Sequence, residues 1–138
     1  MSAADELTAQ AYQAHRENRT ADALKHYSEA AGIYREQNNP LRLAHTIRHV
    51  GDIYQQTKQS QLAGPFYAEA LEIYRRHPET SPLDLANTLR GYALQQEATG
   101  NAAQAKLFWQ EAGELYAAVN VQAGVSESER RIAFLTNA

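Results

Sequence analysis

"ADALKHYSEAAGIY" (21–34), "LAGPFYAEALEIY" (62–74) and "AQAKLFWQEAGELY" (103–116) are three versions of one phrase. Aligned, they place Ala23 with Ala63 and Ala105, Tyr27 with Tyr67 and Trp109, and Ala30 with Ala70 and Ala112. Ile33, Ile73 and Leu115 form a fourth column, and Tyr34, Tyr74 and Tyr116 a fifth. The intervals are 40 and then 42 residues. Every column keeps size as well as polarity, which composition alone does not produce. Self-similarity at this period marks a repeat architecture.

Inside each copy a small residue, an aromatic and a small residue follow at offsets of four and three, so all three share one helical face. Alanine lets a neighbouring backbone come close, and the aromatic fills the space beside it. A second phrase precedes two of these: "LAHTIRHVGDIY" (43–54) and "LANTLRGYALQQ" (85–96), with Leu43/Leu85, Ala44/Ala86, Thr46/Thr88 and Arg48/Arg90 identical. Ile47, Val50, Gly51 and Tyr54 make one stripe, answered by Leu89, Tyr92 and Ala93. Each unit is thus two helices, neither able to bury its stripe alone.

Boundary signals agree. Asn39-Pro40 and Ser81-Pro82 put a capping residue before a proline at the first helical position. Asn18-Arg19-Thr20 and Gly100-Asn101 are short turns inside units, and "RRHPETSP" (75–82) is the one longer connector. Seven helices are expected, near 4–17, 21–37, 41–57, 61–76, 83–98, 102–118 and 124–136, with no strand. Gly64-Pro65 falls in the first turns of the fourth, where a missing N–H costs less than mid-helix.

These residues resemble the tetratricopeptide repeat, a helix–turn–helix unit with small–aromatic–small spacing in its second helix. The 40–42-residue interval looks most like the longer variant of kinesin light chains and many bacterial proteins. The resemblance implies an all-α, right-handed solenoid forming a single domain over 1–138. Three helix-turn-helix repeats (about 4–37, 41–76 and 83–118) are followed by a capping helix near 124–136. "GVSESERRIAFL" (124–135) aligns with "RLAHTIRHVGDI" (42–53), placing Arg130 on Arg48 and Ala133 on Gly51. Its Glu129 stands where Ile47 and Leu89 are apolar, as suits an exposed solenoid end. The opening helix carries Gln10 where an apolar residue is usual, so fraying or an N-terminal cap is expected there.

The resemblance also implies a concave groove lined by the first helix of each unit. Its expected partner-binding residues are Tyr12, Arg16, His45, Arg48, His49, Asp52, Asn87, Arg90, Leu94, Arg130 and Phe134. Arg48, Arg90 and Arg130 fall in one column. A guanidinium presents a planar fork that pairs with a carboxylate, at roughly 1.5–3 kcal/mol per charge-assisted bond where solvent is excluded. The reading is a non-catalytic scaffold docking an acidic or carboxylate-bearing segment of another protein, with Tyr12, Leu94 and Phe134 as apolar contacts. A structural alternative stays open for the arginines: Arg48 has Asp52 four residues on and Arg130 has Glu127 three back, while Arg90 lacks such a neighbour. The lysine/asparagine pattern of chaperone-binding tetratricopeptide domains is absent. Two rival functions remain. One is self-assembly through the solenoid ends, using Val125, Ile132 and Leu135. The other is a regulatory sensor holding a small anion between His45, His49 and Arg90.

Composition bounds the rest. With 43% hydrophobic and 21% charged residues the chain is globular in type, and a net charge of −3 is too small to argue for a nucleic-acid partner or against one. The aromatics sit in repeat columns instead of interleaving with Lys and Arg, so no nucleic-acid partner is expected. There is no cysteine, which removes disulfides, thiolate metal sites and cysteine nucleophiles. No apolar run reaches membrane-spanning length and the start is polar, so a cytoplasmic protein is expected. His45 and His49 have a spacing that can hold one metal, with Asp52 as a third ligand. Without a His-Glu-x-x-His arrangement, solvated groove histidines are preferred, and no metal or cofactor is expected. Neither a phosphate-binding glycine loop nor a Gly-x-Ser-x-Gly elbow occurs, so no enzyme is expected.

Overall fold

In a computed structural model, residues 2–137 are described. They form seven helices: α1 (Ala3–Arg16), α2 (Thr20–Glu36), α3 (Pro40–Gln56), α4 (Ser60–Arg76), α5 (Pro82–Ala98), α6 (Ala102–Ala118) and α7 (Gln122–Asn137). No strand occurs among the described residues. Each helix begins and ends within two residues of its expected position.

The starts of α1, α3 and α5 are set by side chains. Ser2, Asn39 and Ser81 accept from the backbone N–H of Asp5, Arg42 and Asp84, at 3.1, 3.4 and 3.2 Å, and Pro40 and Pro82 open α3 and α5. The stops share a device, and only two of its five places, Asn18-Arg19-Thr20 and Gly100-Asn101, are expected as turns from the sequence. Asn18, Asn38, Lys58, Gly100 and Asn120 all have φ between 54° and 87°. One such residue sits in every short connector, turning the chain through the left-handed region. Asparagine and glycine tolerate it; Lys58 takes it against its intrinsic preference. The connector from His77 to Ser81 has none. Pro65 lies in the second turn of α4, and nearby the buried Gln95 amide of α5 donates to Ser60 O at 3.1 Å, tying the two helices together.

Helices pair as α1/α2, α3/α4 and α5/α6, and α7 lies on α6. Successive pairs meet through α2/α3 and α4/α5, and α3 also touches α5. The result is an all-α solenoid of helix–turn–helix repeats. All nine residues of the small–aromatic–small columns are buried: Ala23, Tyr27, Ala30, Ala63, Tyr67, Ala70, Ala105, Trp109 and Ala112. Removing Trp109, which is fully covered, would cost about 3–5 kcal/mol.

Both ends are finished with polar residues. α1 is complete, with Ala4, Ala11 and Ala14 buried and Gln10 exposed. At the other end Ser126 and Glu129 are exposed, although their columns hold buried residues in α3 (Ala44, Ile47) and α5 (Ala86, Leu89). Val125, Ile132 and Leu135 are half-buried, and Val125 packs into the apolar cluster of α5 and α6.

Candidate partner-binding groove

The first helices α1, α3, α5 and α7 stand side by side, and the aromatic columns of the second helices form the floor between them. Each floor ring meets a different residue above it. Tyr27 stacks on His49, centroids 5.4 Å apart and planes 5° from parallel. Tyr67 lies under Gly91 so closely that a Cβ there would come within 2.5 Å of the ring. Glycine is required at 91 for that approach. The Tyr67 hydroxyl donates to Asp52 Oδ1 at 2.5 Å. Burial, then the Asp52 charge and bond, hold this phenol far above its ordinary pKa. Trp109 Nε1 donates to Glu97 at 2.6 Å; Glu97 also accepts from Arg131, whose guanidinium lies 4.6 Å over the Phe134 ring.

The closing tyrosines follow a second rule. Tyr34 donates to Asp5 at 2.5 Å and Tyr116 to Asn87 at 2.7 Å, each inside its own repeat. Tyr74 is as buried, at 3% exposure, but its hydroxyl has no partner among the described residues.

The three arginines share a column without sharing an environment. Arg48, only 13% exposed, donates to Asp52 at 2.8 Å within α3. Arg90 reaches from α5 to α7 and grips Glu127 with both Nε and Nη2, at 2.5 and 3.1 Å. Arg130 is exposed and has no ion pair among the described residues. Of the two intrahelical pairs left open, Arg48–Asp52 forms and Arg130–Glu127 does not. Glu127 is taken by Arg90 because two donors from a neighbouring helix match a carboxylate better than one along its own.

His45 and His49 meet edge to face at 4.7 Å. Burial and the Arg48 charge depress both rings, His49 to about 3, so both are neutral at pH 7. No group of three or more His, Asp or Glu placed to share an ion occurs among the described residues.

Two pockets open along the groove. The first, about 300 Å³, is lined by Thr8, Tyr12, Tyr27, Tyr34, His45 and His49, among others. The second, about 480 Å³, is lined by Leu83, Asn87, Arg90, Tyr116, Glu127 and Arg130, among others. His45 and His49 therefore line one pocket and Arg90 the other. Tyr12 and Phe134 stand near opposite ends, 53% and 59% exposed, with Arg16 5.9 Å over the Tyr12 ring. Leu94 and Asn87 are half-buried between them. Sequence reasoning missed Tyr27, Tyr34 and Tyr116 as pocket residues, because a repeated aromatic column reads as core; they are buried and also line the groove. A further concavity of about 630 Å³ lies on the outer face over Leu71, Tyr92 and Phe108. At the first seam Tyr54 stacks on Phe66, whereas its counterpart here is Gln96.

Residues 1–90, covering the first two repeats and half of α5, match the family model SNAP, soluble NSF attachment protein. The chain belongs to this family. In fold it is similar to the crystal structure of BtubC (BKLC) from P. vanneervenii, with a TM-score of 0.71 at 17% sequence identity. The likeness covers 98% of this chain and 65% of that one, so the chain spans about two-thirds of the other's length. At that identity it shows the fold alone. No curated protein sequence matches the chain. Membership of the family and this likeness establish a tetratricopeptide-like helical repeat, a fold typical of protein-interaction scaffolds. No helix is long and apolar enough to cross a membrane.

Proposed function

We propose that the chain is a non-catalytic interaction module, one solenoid domain of the long tetratricopeptide type, that docks a segment of another protein in the concave groove in the cytoplasm. The family's name, soluble NSF attachment protein, describes attachment to another protein, in keeping with this role. The observation that carries the reading is a pair of large exposed side chains, Tyr12 on α1 lining the first pocket and Phe134 on α7, together with the second pocket between α5 and α7. Exposed aromatics beside pockets are the side chains that anchor partners.

Charge accounting reshapes the expected partner. Arg48, Arg90 and Arg131 are each matched by a carboxylate of the chain itself. The acidic contact narrows to the two ends of the groove, at Arg16 and Arg130, and the middle of the segment is read as apolar and neutral. Self-assembly is the weaker reading, since both ends are polar. An anion held by His45, His49 and Arg90 together is weaker still, since the histidines are neutral and the arginine lines another pocket.

The test uses peptides selected from a random display library on the immobilised chain. Tyr12→Ala/Phe134→Ala should lose at least about tenfold in affinity, equal to 1.4 kcal/mol. Leu62→Ala/Leu107→Ala, on exposed leucines of the second helices, should bind as wild type. Equal binding by both double variants would remove the groove as the site.

A further inference from the structure

The floor rings differ in one respect that the repeat does not require. Tyr67 donates to Asp52 and Trp109 to Glu97, but the Tyr27 hydroxyl has no hydrogen-bond partner among the described residues. One 40-residue interval before Asp52 stands Tyr12, which is 53% exposed and leaves that hydroxyl free. The first helices differ in spacing too. Gly91 lets α5 come against α3 over Tyr67. In the same column α3 carries His49, no comparable contact joins α1 to α3, and the pocket of about 300 Å³ opens between them. Five rings wall it: Tyr12, Tyr27, Tyr34, His45 and His49. The free hydroxyl thus belongs to a residue that lines open space.

Size, charge and polarity narrow what the pocket takes. At the lower end of ligand-site volumes, it suits one large side chain better than a whole cofactor. Burial and the Arg48 charge keep both imidazoles neutral at pH 7, and a cationic guest would meet the same penalty. An anion finds one charged residue on the wall, Arg42, and that guanidinium already pairs with Asp5 at 3.2 Å. An aliphatic guest would cut the Tyr27 hydroxyl off from water and give it nothing in return. An aromatic ring with a polar edge meets every condition, because its faces pack against rings and its edge supplies a hydrogen bond. Resting on the docking reading above, we infer that the pocket between α1 and α3 is the anchor subsite for one tyrosine or tryptophan side chain of the bound segment. The ring packs among the tyrosines and imidazoles, and its O–H or N–H donates to the Tyr27 hydroxyl oxygen.

Side-chain analogues test the subsite without a partner. In NMR spectra of the whole chain, 4-methylphenol and 3-methylindole should shift the ring signals of His45 and His49 and leave those of His26 and His77 in place. Toluene, which lacks the polar edge, should bind about threefold to tenfold more weakly. Acetate and butylammonium should leave all four rings unmoved. Ala9→Leu enlarges an exposed residue of the pocket wall, so it should abolish the shifts at an unchanged melting temperature. Tyr27→Phe should also melt like wild type, because its hydroxyl has no bond inside the chain to lose, and should bind 4-methylphenol no better than toluene. The library-selected peptides should share one Tyr or Trp. Its replacement by Ala should cost at least about tenfold on wild type and nothing further on Ala9→Leu. Stronger shifts with acetate or butylammonium than with 4-methylphenol would make the class of guest wrong. Wild-type affinity of Tyr27→Phe for 4-methylphenol would remove the hydroxyl as the polar contact, and the inference with it. If Ala9→Leu binds the peptides like wild type while Tyr12→Ala/Phe134→Ala does not, the subsite falls and the groove stands. If no peptide is enriched, or binding ignores every groove variant, the docking reading falls and the subsite falls with it.

Discussion

The two faces of the solenoid use the same repeat differently. On the outer face one ion pair recurs at both seams: Arg35 grips Glu69 at 2.8 and 3.3 Å, and Arg75 grips Glu111 at 2.9 and 2.7 Å. Both pairs join one second helix to the next, and both are bidentate. On the inner face the levels differ, and only the closing-tyrosine bond recurs, in repeats one and three. The residue meeting the floor ring is His49, then Gly91, then Glu97, and the arginine column pairs within a helix, between helices, or not at all. Stacking of repeats needs only a uniform seam, and the outer face supplies it. A groove that copied each level would offer a partner no register. The inner variation makes each level chemically distinct.

That contrast can be broken hardest at the glycines. Gly91 touches the Tyr67 ring, so Gly91→Val should destabilise by about 3 kcal/mol in urea unfolding through overpacking. Gly32, exposed on α2 with open space around it, should do the opposite. Gly32→Ala is expected to stabilise by about 0.5–1 kcal/mol, since glycine mid-helix forfeits propensity. Equal costs at both positions would show that the inner face is no tighter than the outer.

Acid offers the next test. Burial, then the Arg48, His45 and His15 charges, depress His49 to about 3. The unfolded chain therefore binds a proton near pH 6.5 that the folded chain refuses until about 3, so stability is full above 6.5 and falls as pH drops through that window. Wild type should lose about 2–3 kcal/mol more than His49→Phe between pH 6.5 and 4. Parallel curves would mean that the imidazole is protonated in the groove.

Smaller effects sharpen the account of the connectors and the outer face. Lys58 holds φ at 62°, so Lys58→Gly should stabilise by about 1 kcal/mol, measured as a higher denaturant midpoint. A double-mutant cycle on Arg75 and Glu111 should return about 0.2–1 kcal/mol and shrink in high salt, because the pair is half-exposed. A larger, salt-insensitive coupling would make the outer ladder a main support of the stack.

Most of the fold was legible before any coordinate. Alanine and aromatic columns at helical spacing, proline after a capping residue, and a period of 40–42 residues are local signals, and each determines local geometry directly. Glu129 and Gln10 announced the two ends in the same way, since a polar residue in an apolar column has to face water. The site was legible only in part. Column position placed Arg48, Arg90 and Arg130 in line, but the partner of a long side chain is chosen among helices that are distant in sequence. Arg90 and Glu127 are 37 residues apart, and nothing along the chain prefers that pair to Arg130 with Glu127. The tyrosine hydroxyls are a sharper case. The sequence determines that Tyr34, Tyr74 and Tyr116 occupy equivalent positions; tertiary structure decides that two of them find an acceptor and one does not. Hydrophobic periodicity depends on the helix a residue belongs to, whereas a hydrogen bond depends on the position of a single atom, and only packing sets that position.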